Sequence, residues 1–68
     1  MKRFRDAILK PVLKRYNMRR SDLYEDDRVL LIVQGELGNY LNGKVHLGEV
    51  LDNLQYILTE RAEVQEEQ

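Results

Sequence analysis

The stretch VLLIVQGELGNYL, Val29 to Leu41, holds the longest unbroken apolar run of the chain and separates two segments of opposite charge. At helical spacing Leu30, Val33, Leu37 and Leu41 fall on one face, with Val29 and Tyr40 along its edge. This face is expected to be buried. Leu31 and Ile32 point away from it, and Gly35, Gly38 and Asn42 lie on the flank near Leu31, where small side chains let another helix approach closely. The element is therefore expected to touch neighbours on more than one side. A buried strand over Val29 to Val33, stopped by Gly35, is the competing reading, since β-branched residues favour it. The helical spacing persists past Gly35 and accounts for Leu37 to Leu41, which a strand does not. Two glycines inside a helix cost about 1 kcal/mol each relative to alanine, which leaves room for a break near Gly35.

Upstream, Met1, Phe4, Ile8, Val12 and Tyr16 recur every three or four residues, and Leu9 and Leu13 widen the stripe into an amphipathic helix. Pro11 removes one backbone hydrogen bond and crowds the carbonyl four residues earlier, so a kink is expected there. Asn17 to Ser21 reads as a turn, with Ser21 or Asp22 as the next cap and Asp22 and Glu25 at capping-box spacing. Glu25, Asp26 and Asp27 suit the positive end of a helix dipole. Asp26 interrupts the apolar face, so the central helix starts between Asp22 and Asp27.

Downstream, Asn42-Gly43 is a helix stop, because glycine takes left-handed backbone at low cost; with a strand before it, the same dipeptide would turn a hairpin. His46 stands at a cap position, with Val45 and Val50 spaced as a hydrophobic staple and Glu49 at the third helical position. From there Leu47, Val50, Leu51, Leu54, Ile57 and Leu58 form one apolar stripe continued by Ala62. Tyr56 lies opposite it, as an exposed aromatic or a contact with another molecule. Residues 65–68 read as a frayed polar tail. The expected fold is all-α: a small three-helix bundle over about residues 2–17, 22–42 and 47–63, one domain spanning 1–64. Homodimerisation through Val29 to Val33 is the natural completion of so small a core.

The formal charge of −1 conceals a division. Residues 1–20 carry eight cations against Asp6 alone, a formal +7, and the remainder carries three cations against eleven acids, a formal −8. Cysteine is absent, which excludes disulfides, a thiol nucleophile and thiolate metal ligands. No apolar run approaches the ~18 residues of a spanning helix, and Arg5, Asp6 and Lys10 interrupt any signal core, so cytoplasm is the expected location.

Few residues suggest chemistry. His46 and Glu49 form a pair, but a zinc site needs three or four protein ligands, and a capping role is the simpler account. Asp22, Glu25, Asp26 and Asp27 lack the alternation and central glycine of a calcium loop. Ser21 and Thr59 lack a histidine and acid at motif spacing, and the glycines do not form a phosphate cradle. A helix-turn-helix over Gly35 to Leu58 would present Glu49 and Asp52 to phosphate, the wrong sign. Enzymatic activity, cofactors, metals and a small-molecule substrate are not expected. The expectation is a non-enzymatic protein-interaction module, a regulator, adaptor or inhibitor. Its partner-binding candidates are Lys10, Lys14, Arg15, Arg19, Arg20, Ile32 and Tyr56, the first five as a charged docking surface. The alternative is an accessory protein that binds nucleic acid or an anionic membrane surface through the basic first helix.

Overall fold

The computed structural model describes residues 2–67, with side chains over residues 4–64. Three α-helices and a short 3₁₀ turn account for nearly all of it: α1, Lys2–Arg15; the 3₁₀ turn, Arg20–Tyr24; α2, Asp26–Leu41; and α3, Leu47–Glu67. No strand occurs among the described residues, which resolves the central stretch as helix. The helical assignment of α1 continues through Pro11, and that of α2 through Gly35.

The boundaries follow local chemistry. α1 ends where Asn17 takes a left-handed φ of 54°, and the Met18 amide bonds back to the Leu13 carbonyl at 2.9 Å. α2 ends in the same way: Gly43 has φ 74°, and the Lys44 amide reaches the Asn39 carbonyl at 2.8 Å. Both are left-handed stops that satisfy carbonyls the helix leaves open. The predicted cap near Asp22 belongs to the 3₁₀ turn instead, where the Asp22 carboxylate accepts the Arg19 amide at 2.9 Å. α2 therefore starts at Asp26, within the expected interval, with Asp26 and Asp27 in its first turn. His46 does cap α3, its carbonyl accepting the Val50 amide at 3.2 Å. α3 runs on to Glu67, past the expected end, so residues 65–67 are helical rather than frayed; Gln68 and Met1 lie outside the described residues.

The core differs from the expected one. Its fully buried members are Leu9 and Val12 of α1, Leu23 of the 3₁₀ turn, Ile32 of α2, and Val50 and Ile57 of α3, with Leu13 beside them. Ile32, placed outside by the sequence pattern, has 0% exposure. The stripe expected to be inside, Leu30, Val33, Leu37 and Leu41, is outside apart from half-buried Val33. α3 is rotated likewise, with Leu47, Leu51 and Leu58 exposed while Val50, Asn53, Ile57 and Glu60 face inward. Phe4 is also exposed, its ring edge-on to Tyr56 with centroids 5.8 Å apart.

Gly35 is an inward position. A Cβ there would collide with the Tyr16 ring, whose hydroxyl oxygen would lie only 2.6 Å away, whereas a Cβ at Gly38 would meet nothing within 4 Å. The missing side chain admits the end of α1 against α2. Overpacking typically costs about 1–3 kcal/mol and the gain in helix propensity is about 1, so Gly35→Ala should lower stability, by up to about 2 kcal/mol. Gly38→Ala should instead raise it by about 0.5–1 kcal/mol. Urea denaturation of the two variants checks the pair, and equal shifts would contradict the packing of Tyr16 on Gly35.

Candidate interaction surfaces

The most distinctive polar group is Glu36, a carboxylate with 0% exposure. One oxygen accepts from the Arg15 guanidinium at 2.6 Å and the Tyr16 hydroxyl at 2.8 Å, and the other from the Asn53 amide at 2.8 Å. One residue of α2 thus ties down the end of α1 and the middle of α3. Burial pushes the Glu36 carboxyl up, but the donors from Asn53, Tyr16 and Arg15 together outweigh it, and its pKa lies below the ordinary 4.5. Burial raises the Tyr16 phenol, and its bond to Glu36 raises it further. No buried side-chain polar atom among the described residues lacks a partner, so this carboxylate is structural in its bonding.

A second network joins α1, the 3₁₀ turn and α3. Arg5 forks onto Glu63 with two bonds of 2.6 Å and reaches Glu60 at 3.1 Å; Glu63 first and then Glu60 hold its proton more firmly. Arg20 bonds Asp6 at 2.6 Å and Glu60 at 3.3 Å. At the other edge Arg61 of α3 meets Asp26 of α2 at 2.6 Å.

These bonds redistribute the predicted binding residues. Arg15 and Arg20 are engaged internally, Ile32 is in the core, and Tyr56 is half-buried against Phe4 and the core. Ile32 is thereby withdrawn as an exposed contact, because Gly35 and Glu36 draw its side of α2 toward α1. Lys10, Lys14 and Arg19 remain exposed. His46 and Glu49 are both exposed and line an open cleft of about 600 Å³ between α1 and the start of α3, with Arg15 and Asp52. Among the described residues, no group of three His, Asp or Glu side chains is placed to hold a metal ion, and no helix is long and apolar enough to cross a membrane.

α2 and α3 also expose apolar side chains. Leu30, Leu37, Tyr40 and Leu41 on α2, with Leu47, Leu51 and Leu58 on α3, are between 39% and 79% exposed. Asp26 shares the α2 face of Leu30, Val33 and Leu37 by helical spacing, and Arg61 shares the α3 face of Leu54 and Leu58. The Arg61–Asp26 contact therefore sets the two stripes side by side on an antiparallel hairpin. α1 covers the opposite side, where it meets Glu36, Tyr56, Glu60 and Glu63 through the contacts above. A shallow groove follows the α3 stripe past Leu51, Leu54, Leu58 and Ala62, edged by Gln55, Thr59 and Glu63.

Protein-family models, curated proteins and solved structures provide no match to this chain. The surface has to be interpreted from its own chemistry.

Sequence pattern did not single out Glu36. Its one signal was position, beside a glycine on the small-residue flank where close helix approach was anticipated. Glu36→Gln keeps the shape and removes the charge, and should cost about 1–3 kcal/mol at pH 7, a figure that allows for the partial exposure of Arg15. The folded pKa is depressed, so the carboxylate contributes stability above the unfolded value and loses it as pH falls below 4.5 through the folded value. The difference between wild type and Glu36→Gln should therefore shrink in thermal melts between pH 7 and 3. A difference independent of pH would contradict an ionised Glu36.

Proposed function

We propose that this protein is a non-enzymatic interaction module, a small helical regulator, adaptor or inhibitor, whose contact face is the outer side of the α2–α3 hairpin. The observation that carries this reading is the pair of adjacent leucine-rich stripes left uncovered while other parts of the same helices are buried. Exposed apolar residues scattered singly are ordinary, whereas a contiguous patch with a polar edge marks a place of association. The expected charged docking surface is reduced, because Arg15 and Arg20 are bonded to acids of the same chain.

A second reading, phosphate contact through α1, keeps one specific support: Lys10, Lys14 and Arg19 are exposed. Three phosphate contacts would give a log–log salt slope of about −2.7, or a roughly 40-fold loss of affinity between about 0.05 and 0.2 M salt. Steeper dependence would require cations now engaged within the fold.

Affinity capture from a lysate of the host cell distinguishes the surfaces. Leu37→Glu with Leu51→Glu should abolish capture of protein while circular dichroism retains the helical signal, because both side chains are exposed in the single chain. Lys10→Glu with Lys14→Glu should leave capture intact. The reverse pattern would reject the apolar face and favour α1.

A further inference from the structure

We infer that the outer face of the α2–α3 hairpin is covered by a second copy of this chain, forming a two-fold dimer in which two hairpins meet as a four-helix layer. This inference rests on the reading of that face as a site of association.

Three observations converge on a second copy. The first is area. A monomer of 8.1 kDa is expected to expose about 4,500 Å². This chain exposes 5149 Å², an excess of about 650 Å² over that scaling, close to the ~800 Å² each partner contributes to a standard stable interface. The Cα extents are 39 × 25 × 17 Å, thin in one direction.

The second is spacing. α3 carries two lengthwise seams. Val50, Asn53, Ile57 and Glu60 form the inner seam and are buried against α1 and α2. Leu47, Leu51, Leu54 and Leu58 form the outer seam, with steps of four, three and four residues. On α2, Leu30, Val33, Leu37 and Leu41 step by three, four and four beside it. These are the intervals at which helices of a bundle interlock side chains; of the outer α3 seam Leu54 is packed against the core of its own chain, while Leu47, Leu51 and Leu58 are exposed.

The third is charge. In a two-fold contact each surface meets itself, so a face of single sign repels its own copy. The residues edging the stripes include neutral Gln34, Gln55 and Thr59, and the Thr59 hydroxyl is already bonded to the Gln55 carbonyl at 2.9 Å. Asp26 and Arg61 are paired with each other, and Glu63 at the groove edge is bonded to Arg5. The stripes therefore offer little charge by which to select an oppositely charged partner, with Asp27, one turn before Leu30 and Leu31, exposed at the edge of the α2 stripe. Lys10, Lys14 and Arg19 belong to the other layer, so the dimer displays two basic α1 surfaces outward.

Sedimentation equilibrium of the full chain tests this, with circular dichroism on each sample. The wild type should sediment at twice 8.1 kDa and remain there at about 1 M salt, because apolar burial is not screened. Leu37→Glu and Leu51→Glu should each weaken the dimer by about 30-fold or more with helicity retained, and Lys14→Glu should leave it unchanged. A helical wild type at 8.1 kDa even at about 0.5 mM would overturn the second copy, as would a dimer indifferent to both leucine variants or one dissolved by salt. If the wild type is monomeric yet capture from lysate depends on Leu37 and Leu51, the face serves a different protein. If neither experiment responds to those leucines, the association reading of the face fails as well.

Discussion

A carboxylate removed from water is tolerated only if donors replace its hydration, and in this chain that requirement organises the three helices. Glu36 needs Arg15 at the end of α1, Tyr16 just beyond it and Asn53 from α3 at the same time. Meeting those demands brings the end of α1 against the middle of α2, which is possible because residue 35 has no side chain to oppose the Tyr16 ring. Ile32, one turn earlier on the same face, is carried into the core with Leu9, Leu13 and Ile57. The polar contact therefore sets which side of α2 is inside, although the apolar burial beside it supplies the larger share of the driving force.

The charge division has a related consequence. A chain with +7 in its first twenty residues and −8 in the rest draws its ends together, and Arg5 and Arg20 find Glu60 and Glu63 across the fold. Partly exposed ion pairs of this kind contribute modestly to stability. Their greater effect is on orientation: the shared Glu60 fixes α1 and the 3₁₀ turn to the same turn of α3. Two of the five cations that looked like a docking surface, Arg15 and Arg20, are part of the internal adhesive of a small domain.

Helix number, the stop at Asn42-Gly43 and the cap at His46 were legible in the sequence, since they depend on local spacing and on residues with special backbone preferences. The inward faces of α2 and α3 were not. A rule that buries the most apolar stripe selects Leu30, Leu37 and Leu41 over a face holding Ile32, Gly35, Glu36 and Asn39. That rule weighs transfer from water and is blind to a satisfied carboxylate or to the closeness a glycine permits. The same blindness put Ile32 among the contact residues and left Glu36 unremarked.

That reversal is informative about assembly. In a chain that folds and functions alone, leaving the strongest apolar stripes in water forfeits burial that a small domain can scarcely spare. The forfeit disappears if the stripes are the core of something larger. Hydrophobic patterning reports which surfaces are buried in the functioning particle, without distinguishing burial inside one chain from burial between two. α3 carries both a buried and an exposed seam: Val50 and Ile57 are buried within the chain, and Leu51 and Leu58 are exposed. The sequence pattern merged these two seams into one broad stripe. Separating them requires Glu36, because its three donors hold the hairpin at the rotation that buries one seam within the chain and leaves the other exposed.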